Sequence, residues 1–280
     1  MADTRNMGAA TETTMRPLNA GAPAQRPNAA APAAASTGSS SLILRVIKFV
    51  LALALIPACI GFTLGAHDHF TSMWTRVNFA VFGPGTMLKW FGGGIVAFAA
   101  FAILLWRPVV LYVFGHELIH AFATWMCLGK VSNLSASASG GQVTTTKSNT
   151  FIRLAPYCVP FYVLIAAGAY LAVDAWWFPL RSYFHILGAV LGFFYAFHLG
   201  FTLWSLRRDQ PDLKPDGWLF SLVLIYLANV AVFMAMAGFL WDGHPQASWA
   251  AVRDASIHGW EHTNQIYRNL LAFAEQAIGR

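Results

Sequence analysis

Six long apolar runs restrict what this 280-residue chain can fold into. They lie at about residues 43–65, 87–106, 108–128, 152–177, 183–206 and 217–241. At 1.5 Å per residue, an α-helix of this length crosses the roughly 30 Å of hydrocarbon in a bilayer. We therefore expect an all-α membrane protein of about six transmembrane helices.

The composition supports a lipid environment. Charged residues make up 11% of the chain and hydrophobic residues 57%, whereas a soluble domain carries roughly 25% charged residues. The net charge of +6 comes from basic residues beside the spans, not from a clustered stripe. Such residues set orientation or contact lipid headgroups, so we expect the lipid bilayer as a partner and no nucleic acid. Little Lys beside much Ala and Arg favours a bacterial source and its inner (cell) membrane.

The remaining segments divide the chain into three parts. Residues 1–41 are rich in Ala, Pro, Ser and Thr, cannot bury a core, and are expected to form a disordered tail. Residues 42–241 form the transmembrane domain. Residues 242–280 carry apolar residues at roughly helical spacing, which predicts an amphipathic tail on the membrane surface or on the bundle. Within the domain, the Ser-, Thr- and Gly-rich loop at 129–150 predicts a short β-hairpin after the third run.

The membrane topology is ambiguous at this level. Arg45 and Lys48 draw the N-terminus towards the cytoplasm, but the loops at 129–150 and 207–216 are also basic. Six alternating spans place those loops on the opposite face, so the positive-inside rule conflicts with itself. If the second run, 87–106, is re-entrant, the number of membrane crossings before each of these loops changes by one, and the loops move to the other face.

The third run contains the sequence HELIH at residues 116–120. Residues four apart share one helix face, so His116 and His120 can bind one Zn²⁺ ion. Glu117 lies beside them and can act as general base on a metal-bound water, then as acid. Each ionisable group costs about 2–3 kcal/mol or more at the membrane centre unless it has a partner. That cost favours a metal site over a structural polar cluster.

The intramembrane HELIH, Gly129, the GGQV sequence at Gly140–Val143 and the Pro-containing run that follows resemble the site-2 protease (M50) family of intramembrane zinc metalloproteases. The resemblance covers about residues 107–230. It implies a β-element that aligns substrate, a third metal ligand from a later helix, and hydrolysis of peptide bonds in a membrane-anchored protein substrate. The family's usual Leu-Asp-Gly motif for that ligand is not present as such.

Three residues are candidates for the third ligand. His198 would lie within about 5 Å of the depth of His120 if the third and fifth spans run parallel. Asp212 lies in a polar loop that can fold back on the site. Asp216 precedes Gly217 and looks most like the family's Asp-Gly. Each can instead be structural, as a histidine bonded to another helix or as a capping or solvated aspartate.

Two other His-rich motifs are expected to be structural. The sequence HGWEH at 258–262 has the inverted HxxEH pattern of another metallopeptidase class. That class needs a larger soluble domain than a tail of about forty residues supplies, so we expect one polar face of an amphipathic helix. The sequence HDH at 67–69 is expected in a loop.

Two rival functions fit the same motifs. A catalytically silent membrane scaffold would keep a metal site without turnover, but it has no need of an intact Glu117. A metal-transit protein would use His116, His120 and His198 as a transit site for ions. The long polar loop with its predicted hairpin fits a protease better.

Overall fold

The computed structural model describes residues 38–76, 86–104, 108–208, 210–242 and 244–278. The chain divides into residues 1–41 and a compact unit from Leu42 to Arg280. The predicted disordered tail, 1–41, lies outside the described residues except at its end, where the first helix begins.

The described residues confirm the predicted fold class, since they form eight α-helices, a short 3-10 helix and one β-hairpin. In chain order these are α1 Gly38–Trp74, α2 Thr86–Leu104, α3 Val109–Met126, β1 Val131–Ser137, β2 Gly140–Thr145, α4 Thr150–Cys158, α5 Phe161–Trp176, the 3-10 helix Arg181–Tyr183, α6 Phe184–Leu206, α7 Trp218–Asp242 and α8 Pro245–Ile278. By length and composition, five helices are suited to cross a membrane, and the bent pair α4–α5 makes a sixth span if it is counted as one.

The first helix extends beyond the predicted span of 43–65. Helix α1 continues to Trp74, so the prediction that residues 67–69 lie in a loop is wrong. The segment 66–74 contains neither Gly nor Pro to end the helix. Its Phe70 also packs on Phe233 of α7, with ring centroids 5.5 Å apart.

The predicted fourth span, 152–177, is broken. Helices α4 and α5 meet at an angle of 69°. Pro160 immediately precedes α5 as its N-cap residue, and a proline disfavours helical backbone in the residue before it. Val159 accordingly adopts an extended conformation. The break allows α4 to lie against α3, which carries the HELIH sequence.

The predicted hairpin is present between α3 and α4. Strands β1 and β2 pair antiparallel, with Leu134 opposite Val143, and a bulge interrupts the register between Val131 and Asn133. Gly140 is the first residue of β2 and has a φ angle of +145°. Residues with a Cβ atom rarely adopt this backbone conformation. The hairpin packs against α3.

The topology differs from six alternating spans. Lys48 near the start of α1 forms an ion pair with Asp216, which follows α6. Both therefore lie at the same end of the bundle, whereas strict alternation separates them by five crossings. The ion pair therefore fits an even number of crossings between these two residues.

Two helices carry the packing behind α3. Gly94 of α2 and Gly192 of α6 each face the backbone of the other helix, so the pair lies close together. Small residues let two helix backbones approach closely. In a membrane, helix association depends on such van der Waals packing, because there is no hydrophobic driving force between helices in lipid. An aromatic cluster of Phe98, Phe197 and Phe201 fills the space between this pair and Tyr112 of α3.

The C-terminal segment packs on the bundle, one of its two predicted positions. Helix α8 runs along α7, where Gly238 faces the backbone of Ala247. It also runs antiparallel to α1, since Gly65 faces Gly259 and Tyr267 bonds the carbonyl of Ala54.

Candidate metal centre

Two histidines and one aspartate converge beside α3. His116 and His120 lie one helical turn apart, with ring centroids separated by 4.9 Å. Their Nε2 atoms lie 3.5 Å and 3.4 Å from the same oxygen, Oδ2 of Asp212. Among the described residues, this is the group of three whose potential ligand atoms all lie within 4.8 Å of one another.

The spacing fits a tetrahedral zinc site. Zinc–nitrogen and zinc–oxygen bonds are about 2.0–2.2 Å long, so two ligand atoms at a tetrahedral angle are about 3.3–3.5 Å apart. The two histidine–aspartate distances match that separation. Three protein ligands with a fourth position free for water or substrate is the usual pattern of catalytic zinc.

Outer contacts orient both imidazoles. Nδ1 of His120 donates to the carbonyl of Ile152 at 2.8 Å, which leaves Nε2 as the lone-pair nitrogen facing Asp212. Nδ1 of His116 lies 3.4 Å from the hydroxyl of Tyr112. Asn149 caps α4 by accepting from the backbone N–H of Ile152, so the helix cap also fixes that carbonyl. Such partners set the tautomer and direction of metal-binding histidines.

The loop after α6 brings Asp212 to the histidines. Leu213 is 4% exposed and packs against α4 and α7. The hydroxyl of Tyr157 on α4 donates to Oδ2 of Asp212 at 3.0 Å and lies 3.2 Å from Gln210. The same ring packs edge-on against His116 at 5.0 Å. Burial would raise the pKa of Asp212, but the two imidazoles hold it below its usual range, so the group is a carboxylate at neutral pH.

Asp216, the alternative candidate for the third ligand, is not part of this group and makes other contacts. Its side chain is fully buried. One carboxylate oxygen accepts from Lys48 and Thr150, and the other accepts two bonds from Arg153 at 2.7 Å and 2.9 Å. Burial raises its pKa, but these donors lower it overall. With both oxygens occupied, Asp216 anchors the loop to α1 and α4.

The predicted ligand His198 is not part of the group that His116, His120 and Asp212 form. It lies on α6 behind His116, buried and stacked on Tyr195 at 6.5 Å. Its Nε2 has no hydrogen-bond partner among the described residues. Similar depth in the membrane therefore did not bring its ring to the same side as Asp212.

Glu117 faces a cleft of about 510 Å³ between α3, the hairpin and the loop after α6. His116, His120 and Asp212 line the same cleft. Gly141 of β2 lies directly over Glu117, where a Cβ would come within 2.6 Å of Cγ and 2.8 Å of Oε1. The GGQV sequence thus contributes one glycine for the turn and one for this close approach.

Sequence reasoning missed Tyr157 and the partners of Asp216. A signal existed for both. Lys48 lies inside an apolar run, where a charge requires a partner, and a tyrosine such as Tyr157 usually finds a hydrogen-bond partner when buried. Neither signal identifies the partner, since Asp216 is distant in sequence from Lys48, and Asp212 from Tyr157.

Comparisons of this chain with protein-family models, with curated proteins and with solved structures found no match.

Proposed function

We propose that this protein is a membrane-embedded zinc metalloprotease that hydrolyses peptide bonds of membrane-associated proteins. The observation that carries the proposal is the convergence of His116, His120 and Asp212 beside Glu117 in one cleft. The resemblance of HELIH and GGQV to the site-2 protease family supports the same reaction.

The chain's residues have distinct roles in this reaction. His116, His120 and Asp212 would hold zinc, which when bound acidifies a water molecule and polarises the scissile carbonyl. Glu117 accepts a proton from the attacking water and then delivers it to the leaving amine. Its place beside His116 on the same helix, in the lining of the cleft, supports both roles.

The cleft suits an extended peptide. Gly140, Gly141, Gln142, Val143 and Thr145 of β2 line it opposite Glu117. A two-stranded sheet leaves the outer edge of each strand unpaired, and an extended segment can add to such an edge through main-chain hydrogen bonds. A transmembrane substrate must therefore unwind locally, because its helical carbonyls are otherwise internally bonded.

The charge pattern orients the protein. Lys48 and Arg153 meet at Asp216, and Arg208 lines the cleft with Arg153. Basic residues concentrated at one end favour the cytoplasmic side. We place the cleft towards the cytoplasm, in a bacterial inner membrane as the composition favours.

The test compares the wild type with Glu117→Gln, purified in detergent and reconstituted with a model transmembrane substrate. We expect about one zinc per chain at this site in both proteins, and cleavage only by the wild type. Glu275→Gln, on the exposed end of α8, is the matched control and should cleave normally.

The other outcomes separate the rival functions. Zinc binding without cleavage by either protein, across several substrates, would favour the silent scaffold. Zinc flux into vesicles that requires His116 and His120 would favour a metal-transit protein. A wild type that binds no zinc at this site would refute the metalloprotease.

A further inference from the structure

The two His-rich motifs outside the cleft come together in space. The Nε2 atom of His262 on α8 lies 2.9 Å from Oδ2 of Asp68 on α1. The other oxygen of Asp68 lies 3.2 Å from Nδ1 of His67, and His258 lies 3.4 Å from Glu261. The sequences HDH and HGWEH, far apart in the chain, therefore form one cluster of imidazoles and carboxylates.

Close helix packing produces this cluster. A Cβ on Gly65 would meet the backbone of Gly259, so neither position has room for a larger side chain. The antiparallel approach of α1 and α8 places His69 within electrostatic reach of His258 and Asp254. Four of the nine histidines in the chain consequently lie at this one junction.

We propose that Asp68, His258 and His262 form a second binding site for a divalent transition-metal ion. His258 and His262 are four residues apart on α8 and so share one helix face. Asp68 supplies a carboxylate from the opposing helix, and His67 and His69 flank it as further nitrogen donors. Two imidazoles at this spacing with a carboxylate are a ligand set that zinc accepts.

The side chains must move to bring all three donors to one metal ion. Asp68 contacts His262 and His67, whereas His258 contacts Glu261, so the donor atoms are not gathered within 4.8 Å of one another as at the cleft. The side chains can turn, because Asp68 is 52% exposed, His258 52% and His262 39%. A site that orders its ligands on binding has a lower affinity than a preorganised one, so it is the weaker and more exchangeable of the two.

The position of this site gives it a different environment from the cleft. The twenty residues from Lys48 to Asp68 correspond to roughly 30 Å of helix. The cluster therefore lies at the end of α1 remote from the Asp216 network. A metal ion there would join α8 to α1 and stabilise their contact by mass action.

The experiment uses the full-length chain with His116→Ala and His120→Ala, so that zinc at the cleft does not obscure the result. Zinc and cobalt are titrated in detergent, with zinc content by mass spectrometry and tetrahedral cobalt by its visible absorption. We expect the protein to bind about one equivalent of zinc. Nickel should displace this zinc but calcium and magnesium should not, because imidazole ligands favour transition metals such as zinc and nickel.

The deciding variant adds His258→Asn and His262→Gln to that background. The glutamine can still donate to Asp68, which keeps the helix contact without the imidazoles. We expect the zinc equivalent and the cobalt absorption to be lost and the zinc-induced rise in Tm to vanish. His244→Asn, an exposed histidine outside the cluster, is the matched control and should keep all three.

Unchanged zinc binding in the His258/His262 variant would overturn the proposal, as would failure of the background protein to bind zinc. Neither result depends on catalysis. A protein with no zinc at the cleft and one equivalent at this junction would refute the proposed protease and uphold the second site.

Discussion

The two histidine clusters contain the same chemical groups in different surroundings. Each has two imidazoles four residues apart on one helix and a carboxylate from another element. At the cleft His120 is buried and His116 and Asp212 are partly buried. The carbonyl of Ile152 and the hydroxyls of Tyr112 and Tyr157 contact these three side chains. At the α1–α8 junction the donors are half-exposed and bond one another.

This difference shows that preorganisation comes from the neighbours of the ligands and not from the motif. The outer partners at the cleft direct one nitrogen or oxygen of each ligand to a common point, which leaves little conformational entropy to lose on binding. At the junction the corresponding partners are themselves exposed: Glu261 lies beside His258, and His67 lies beside Asp68. The comparison predicts tight metal binding at the cleft and weaker binding at the junction.

The largest effect should follow from Asp212→Asn. Asparagine has nearly the same shape but lacks the negative charge that the zinc site requires. We expect zinc affinity at the cleft to fall by more than the roughly 10–100-fold that outer-shell substitutions cost, and cleavage to be lost. Competition with a chelator measures the affinity.

Asp174→Asn is the control for this substitution, because Asp174 bonds the backbone of Leu180 away from the cleft and should leave zinc binding unchanged. Zinc retained by Asp212→Asn with wild-type affinity would contradict the assignment of the third ligand. It would also remove the main distinction between the two clusters.

The next effect concerns stability and compares Asp216 with Asp68. Asp216→Asn leaves Lys48 and Arg153 without their buried counter-charge, and removing one partner of a buried ion pair costs about 3–5 kcal/mol. Asp68→Asn at the half-exposed junction should lower the free energy of unfolding much less, since exposed pairs contribute little. Denaturant unfolding of the detergent-solubilised proteins measures both.

The pH dependence sharpens this prediction. Because the folded pKa of Asp216 lies below its ordinary value of 3.8, its contribution is fully present above that value and is lost as the pH falls through the folded pKa. The gap in stability between wild type and Asp216→Asn should therefore narrow below pH 3.8. A gap that stays constant with pH would show that the network does not depend on this carboxylate's charge.

Sequence patterns predicted the elements of the fold well because their signals are local. Apolar length predicted the helices, and Gly and Ser content with alternation predicted the hairpin. The break at Pro160 was less visible, since a proline can kink a transmembrane helix without ending it. The continuation of α1 through His67–His69 was missed because a polar triplet was interpreted as a loop.

The candidate site was predictable only in part. The i, i+4 rule was sufficient to select His116, Glu117 and His120, whereas the partner from the loop depended on tertiary contacts. Asp212 and Asp216 both follow a proline in the same short segment, and nothing local distinguishes them. Burial of Leu213 and the basic residues around Asp216 decide which carboxylate faces the histidines.

The smallest effect should come from Tyr157→Phe, which tests whether the outer partners cause the difference between the two clusters. The substitution keeps the buried ring against His116 and removes only the hydroxyl that donates to Asp212. We expect zinc affinity at the cleft to fall roughly 10–100-fold, while zinc binding at the α1–α8 junction stays unchanged. Tyr162→Phe loses a hydroxyl bonded to the carbonyl of Leu111 instead and is the matched control. If both variants lose stability equally but neither loses zinc affinity, the tyrosine merely packs, and the preorganisation of the cleft must come from the two histidine contacts alone.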